Sequence, residues 1–529
     1  MLPEPHRAPP VPQRWKRVSR PAGVLPAAGI AGVVGATVIP VDRPGIGWLL
    51  AGTTIAAALC AVDYRARTRS RSAESAPIEA KAVAVERQSG AIAQETTSDK
   101  AAHPDVTAES DDSSQADATP ARVPTTVRAR ERVWWAGAAL ALLGVGAVRA
   151  AGWLFVLCVL AACVAGSLAV LGRRSSRGVL YDMIAVPLAV FGAVPWGFSG
   201  MREARPTAVS SVRRYGVSIA ATVALLVVFV PLLGGADATF AKLLSGVVPE
   251  IDAAAAWEWV LLFGWIGAGA LGALYLLAGP PPAASAGARP RRSWSRGEWV
   301  LPVGALIVLF GVFLGAQFVA LFGGDDYVQR TAGLTYAEYA RSGFWQLSAV
   351  SLLTLAVLTA VLHWAARDTA ADRRWLRVSL GALTVLTLVI VVSALGRMWT
   401  YQQAYGFTVL RLLVTGCELW VGLVYVLMLV AVARLHWSWV PRAAVGTALA
   451  TLLALAVLNP EHFVAERNID RWEADNRLDT GYLRQLSPDI LPALERLPAP
   501  LRTEIATPIR ADLDNEPWWA WNLSRNSAR

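Results

Sequence analysis

Residues 412–433, LLVTGCELWVGLVYVLMLVAVA, decide the fold. The stretch carries a single carboxylate, Glu418, among apolar and small residues, and a helix of that length rising 1.5 Å per residue spans the ~30 Å hydrocarbon core of a bilayer. Val217 to Leu233, Val300 to Phe322 and Phe344 to Ala365 repeat the pattern. One such run fits a buried core helix, but about eleven of them do not. Composition agrees: of 529 residues 55% are hydrophobic and only 17% charged, where soluble domains carry about a quarter. The predicted class is all-α, a polytopic transmembrane helix bundle of about eleven spans plus one re-entrant segment, with a small helical C-terminal tail.

The charge left over is sorted. The net +10 comes from short Arg clusters beside the apolar runs, with no basic face interleaved with aromatics and no nucleic-acid motif, so nucleic acid is not an expected partner. Trp134 and Trp135, Trp257 and Trp259, Trp294 and Trp299, and Trp437 and Trp439 fall near span ends, where an indole prefers the headgroup zone. Cys60, Cys158, Cys163 and Cys417 lie in apolar runs without metal or redox spacing, and no disulfide is expected.

Working outward, residues 1–22 form a basic arm. Residues 23–62 form a transmembrane hairpin closed by Val41-Asp42-Arg43-Pro44-Gly45, its first run reading as a retained signal anchor. Residues 63–132 shift to Ala, Ser, Thr and charged residues without periodicity and read as a disordered linker. A multi-span domain covers 133–458 and a soluble helical tail 459–529. The stretch Val179 to Phe198 carries Asp182, Pro187 and Pro195 and is followed by Arg202, Arg205, Arg213 and Arg214. If it dips in and returns, the basic loops, including Arg289 to Arg296, Arg367 to Arg377, and Arg434 with Arg442, all face the cytoplasm. Acidic loops with Asp237, Glu250 and Asp252, and with Asp325 and Asp326, then face out. The expected address is the cytoplasmic membrane, N-terminus inside and tail outside. In the tail, Ser487-Pro488 opens a helix from Asp489 to Leu497, and Trp518, Trp519 and Trp521 either meet the headgroups or pack into the tail, the second being the simpler reading.

No phosphate loop, paired-cysteine zinc spacing or His-Glu-x-x-His helix occurs, and neither cofactor nor metal is expected. Glu418 stands out, because a carboxylate inside a span is costly unless protonated or paired. Arg411, Thr415 and Glu418 share one helix face. The loop expected from Arg397 to Arg411 is rich in polar groups, Arg397, Tyr401, Gln402, Gln403, Tyr405, Thr408 and Arg411, able to hold an anionic headgroup, a phosphate or a sugar, or simply to anchor. Asp182 marks the mouth of the re-entrant stretch. Leu334-Thr335-Tyr336-Ala337-Glu338-Tyr339 reads as a capping box that starts a helix, which accounts for Glu338 without catalysis.

Thr335-Tyr336-Ala337-Glu338-Tyr339-Ala340-Arg341 with Gly343 to Leu347, Tyr405-Gly406-Phe407-Thr408 with Arg411, and Asn459-Pro460 resemble the 4153/4173 class of bacterial multi-pass membrane proteins, a domain of unknown function. Val464, Ala465, Asn468, Ile469 and the late Trp521-Asn522-Leu523 are similar too, so the resemblance covers residues 135 to 525. The linker departs from it and leaves open whether the first hairpin packs on the rest. The resemblance implies a fold and a membrane address and no activity. The leading expectation is a non-enzymatic, transporter-like or envelope-associated component with the lipid bilayer, and an anionic lipid or envelope component, as partners. Its site is Arg397, Tyr401, Tyr405, Thr408, Arg411 and Glu418, with Asp182, Tyr336, Glu338, Tyr339 and Arg341 behind them. The alternatives are a membrane-embedded enzyme on lipid-linked or envelope substrates, using Glu338, Asp325 or Asp326, and a sensory or scaffold protein.

Overall fold

The protein is seen in a computed structural model that describes residues 18–69, 125–172, 178–199, 253–279, 293–322, 336–511, 513 and 516–529, with isolated positions between 222 and 229. Most of the arm, the middle of the linker, the run near 217–233, Asp325 and Asp326, and the Thr335 cap lie outside the described residues. Every regular element described is helical: α1 Val24–Val38, α2 Ile46–Arg69, α3 Thr125–Val148, α4 Gly152–Leu171, α5 Val179–Ser199, α6 Ala253–Ala278, α7 Arg296–Phe322, α8 Tyr336–Trp364, α9 Ala370–Tyr405, α10 Val409–Arg434 and α11 Val440–Leu458. Ten of these are long and apolar enough to cross a membrane, and α1 is a shorter apolar helix. α2 continues past residue 62 to Arg69 and α3 begins at Thr125, so helix trims the expected linker at both ends.

Three cores hold the bundle. One joins α7 to α10 around Trp299, Leu380 and Tyr425, one joins α1, α2, α4, α5 and α6, and one joins α3, α4 and α11. Outside these cores large side chains such as Leu301, Val308, Leu353 and Val392 are exposed, an arrangement that suits lipid and would be costly in water. The first hairpin belongs to the second core, α1 packing along α6 with Trp259 beside Thr37.

The helix ends gather on two faces. On one, Arg132 meets Asp63 at 3.6 Å, Arg296 meets Asp372 at 2.6 Å, Arg367 donates to the Leu435 carbonyl at 2.7 Å and Arg442 to that of Gly172 at 2.9 Å. This face collects Arg65, Arg67, Arg373, Arg374, Arg377 and Arg434 as well. On the other lie the α1–α2, α3–α4 and α9–α10 connections and the end of α11, all under the tail.

α5 corrects one expectation in part. It does not dip and return, because it is one unbroken helix through Pro187 and Pro195. Pro187 costs one backbone bond, and burial of Ala185, Ala189, Ala193 and Trp196 against α6 holds the helix together. Its contacts nevertheless bring both ends to the basic face: Asp182 in its first turn meets Arg442 at 3.2 Å, while Trp196 donates to the Val18 carbonyl at 3.0 Å and Arg20 to that of Gly197 at 2.5 Å. α5 therefore lies across α6, and the two meet at Gly272, where an added Cβ would stand 2.9 Å from the Val186 carbonyl oxygen.

The tail has its own small core of Ala465, Ile469, Leu483, Ile490, Leu494, Leu497, Ile505 and Ile509. It is built from α12 Pro460–Asp475, α13 Thr480–Leu483, two 3₁₀ turns at Pro488–Ile490 and Ala493–Arg496, α14 Ala499–Ala511, a third 3₁₀ turn at Trp518–Ala520 and α15 Leu523–Ala528. Ser487 does cap, accepting from the Asp489 amide at 3.4 Å, but it opens tight 3₁₀ turns where an α-helix was expected. The three indoles are not core residues either: Trp518 is 63% exposed and Trp521 40%.

Gly272→Val is expected to drive α5 off α6 at a cost of about 1–3 kcal/mol. Thermal unfolding in detergent, compared with Gly264→Val, whose Cβ meets nothing within 4 Å, checks this.

Candidate functional site

α9 ends at Tyr405, and Gly406 takes φ 83°, a conformation that suits glycine, to turn the chain into α10. Thr408 caps α10, its hydroxyl accepting from the Arg411 amide at 3.3 Å. The Arg411 guanidinium turns back onto the end of α9, donating to the Tyr405 carbonyl at 3.1 Å and to that of Gly406. It sits 4.5 Å from the Tyr401 ring centroid, a cation–π contact. The Tyr401 and Tyr405 rings meet at a tilt with centroids 5.0 Å apart, Arg397 lies one turn earlier and Tyr405 is half exposed. Where a loop from Arg397 to Arg411 was expected, Arg397, Tyr401 and Tyr405 stand on the last turns of α9 and only residues 406–408 connect it to α10, a junction that brings Tyr401, Tyr405, Thr408 and Arg411 together. Arg411 acts there as a C-cap for α9, satisfying carbonyls that the helix cannot.

Below the loop the polar face of α10 runs inward. Thr415 donates to the Arg411 carbonyl at 2.8 Å and accepts from the buried Gln402 amide at 2.9 Å. Glu418, one turn deeper, is 5% exposed and accepts from the Ser348 hydroxyl of α8 on Oε1, while Oε2 has no hydrogen-bond partner among the described residues. Two turns further, the Tyr425 phenol donates to the Ser351 carbonyl and is bordered by Thr354 and Thr387. The buried hydroxyls of Ser351, Thr354, Thr384 and Thr387 continue this stripe between α8, α9 and α10. Arg411 and Glu418 share a face, as their spacing implies, but their side chains engage different partners.

The lower-ranked residues separate. Asp182 is buried on the basic face against Arg442, which also approaches Glu131 at 3.8 Å, a charge cluster far along the chain from the α9–α10 loop. Tyr336, Glu338, Tyr339 and Arg341 form the opening turns of α8, whose side chains there lie outside the described residues.

Sequence reasoning missed the seam beneath the tail. Asn468 grips Phe407 from both sides, accepting from its amide at 3.1 Å and donating to its carbonyl at 2.8 Å. The Tyr482 hydroxyl accepts from the Val409 amide at 2.8 Å. Asp489 accepts from the amides of Ala150 and Ala151 at 3.0 and 3.1 Å, capping α4, which has no side-chain cap of its own. Glu461 takes the Trp153 indole at 2.9 Å and the Ser487 amide at 2.6 Å, and burial pushes its carboxyl upward. Asn522 donates to the carbonyls of Gly146 and Arg149. Glu516 gathers Arg525 at 2.7 Å, Arg43 at 3.1 Å and Arg529 at 3.5 Å. The signal was in part visible, since Asn468, Phe407 and Asn522 are among the residues that carry the family resemblance.

Among the described residues no group of three or more His, Cys, Asp or Glu side chains is arranged to hold a metal ion.

A family model described as Domain of unknown function (DUF4153) matches residues 137–497, well over half of the chain. The match runs from α3 through the membrane helices into the tail and leaves out the first hairpin and the Trp521-Asn522-Leu523 segment that the resemblance had included. Neither a curated protein nor a solved structure matches.

Asp489→Ala uncaps α4 and is expected to loosen the tail by about 1–3 kcal/mol. Faster protease nicking within 460–529 in detergent, with Asp475→Ala as the unaffected control, is the readout.

Proposed function

Since the chain belongs to the family described as Domain of unknown function (DUF4153), which carries no activity with it, we propose the function from the residues themselves: a non-enzymatic, transporter-like component of the cytoplasmic membrane in which Glu418 takes up and releases a proton or a small cation. The observation that carries this reading is the half-satisfied carboxyl of Glu418, bound by Ser348 on one oxygen and without a hydrogen-bond partner on the other among the described residues.

The physical argument is one of cost. An ionised carboxylate at the centre of a membrane helix is disfavoured by about 3 kcal/mol, and no cation among the described residues is paired with Glu418 to offset it. A proton or a small cation bound at the carboxyl would each offset that cost. Hydroxyls and amides lie on both sides of it along α10, Thr415 and Gln402 toward the tail face and Tyr425 with Ser351 toward the basic face. These polar groups are the route proposed for a proton or a small cation to reach Glu418. The loop of Arg397, Tyr401, Tyr405, Thr408 and Arg411 forms its outer mouth, where an anionic headgroup or envelope component would be met.

Orientation belongs to the same proposal. Arg65, Arg67, Arg367, Arg373, Arg374 and Arg442 lie on one face, and positive charge favours the cytoplasm. The N-terminus is then inside and the tail outside.

A hydrophobic carbodiimide, which partitions into the bilayer and reacts with carboxyls there, is expected to modify Glu418 in intact membranes, and the labelling is expected to be lost in Glu418→Gln. Labelling by mass spectrometry that is equal in the variant, or confined to other residues, would sink the proposal. Proteoliposomes carrying the wild-type chain are further expected to relax an imposed pH step faster than those carrying Glu418→Gln.

A further inference from the structure

A second polar site lies away from Glu418, in the tail. A cavity of about 480 Å³ opens between the last turn of α3, the end of α11 and the tail segments, within the ~300–1,000 Å³ range of small-molecule sites. One wall comes from α14, where Arg502, Thr503, Thr507 and Arg510 fall at helical spacing and face the cavity together. Neither arginine makes an ion pair among the described residues, and both are exposed. The opposite wall holds acceptors. Asp489 is 3% exposed, and its Oδ2 is spent on capping α4 while Oδ1 has no hydrogen-bond partner among the described residues. Asn459 at the end of α11 also lines the cavity, and its Oδ1 is likewise buried without a partner among the described residues. Glu495 adds a further carboxylate to the wall.

A buried carboxylate oxygen without a donor is costly, and evolution seldom leaves one bare where nothing supplies the missing hydrogen bond. The cavity thus presents two complementary demands: an anion for Arg502, Arg510 and the Thr503 hydroxyl, the Thr507 hydroxyl being given to the Thr503 carbonyl, and an N–H or O–H donor for Asp489 and Asn459. Val148 and Leu523, both lining the cavity and more than two-fifths exposed, give it an apolar lip. We propose that this cavity binds a phosphoester bearing a primary ammonium group, its phosphate against Arg502 and Arg510 and its ammonium against Asp489 and Asn459. The chemistry is that of phosphoethanolamine, whether free or as a lipid headgroup. A quaternary ammonium such as choline has no N–H to give and should be rejected, because the acceptors would stay unpaired.

The full-length chain in phosphatidylcholine nanodiscs is titrated calorimetrically with O-phosphoethanolamine. Saturable binding is expected, weakened at least about tenfold by the pair Arg502→Ala and Arg510→Ala, as expected when charge-assisted bonds to phosphate are lost. Phosphocholine is expected to bind at least about tenfold more weakly than phosphoethanolamine. Thr507→Val, which leaves the charges in place, is expected to weaken binding less than the arginine pair. Native mass spectrometry from mixed phosphatidylethanolamine and phosphatidylcholine nanodiscs separates the sources: selective retention of phosphatidylethanolamine assigns the headgroup, and binding of the soluble compound alone assigns a free phosphoester. Absence of binding by a protein whose tail stays protease-resistant overturns the inference. So does equal binding of phosphocholine, or unchanged affinity in the arginine pair.

Discussion

Hydrocarbon offers no hydrogen bonds, so every polar group that enters the membrane must find its partner inside the protein. The buried hydroxyls follow that rule: Ser351, Thr354, Thr384 and Thr387 donate to carbonyls one turn earlier in their own helices. The carboxylates and guanidiniums are pushed to the helix ends, where water and neighbouring carbonyls are within reach. Glu418 is the departure from this pattern, with one oxygen satisfied and the other without a hydrogen-bond partner among the described residues, and the proposed function is placed there for that reason.

The same constraint explains the tail. Helix ends leave backbone amides and carbonyls without partners, and on the tail face they are supplied by residues from far along the chain. Asp489 caps α4, Tyr482 serves the first turn of α10, and Asn522 takes the carbonyls at the end of α3. Glu516, with Arg43 and Arg525, ties the C-terminal segment to the turn of the first hairpin. There Gly47 is forced, since a Cβ would fall 1.7 Å from the Val38 carbonyl oxygen. The tail is thus a lid of hydrogen bonds over three interhelical turns, and it carries the cavity between itself and α3.

Hydropathy read the helices well because lipid imposes length and apolarity on each span locally. The start of α8 at Tyr336 was legible for a similar reason, being set within a few residues of sequence. What escaped the sequence is non-local. Arg411 looks like a ligand-binding cation until its guanidinium is seen on the carbonyls of Tyr405 and Gly406. Asp489 reads as an ordinary first-turn acid until α4 is seen to lack a cap. Pro187 and Pro195 suggest a broken helix, yet packing of the alanine face of α5 on α6 keeps it whole. The exposed Trp518 and Trp521 run against the expectation of core packing because the tail closes its core with aliphatic side chains from α12, α13 and α14.

The central claim is the two-faced arrangement, with the tail and the mouth above Glu418 on the outer side and the arginine-rich ends within. Single cysteines at Ala474 in the tail and Ser113 in the linker, in a chain lacking Cys60, Cys158, Cys163 and Cys417, test it directly with a membrane-impermeant thiol reagent on intact cells. The account predicts labelling at 474 and protection at 113 until the cells are opened. Labelling at 113 with protection at 474, or protection at both, would contradict it.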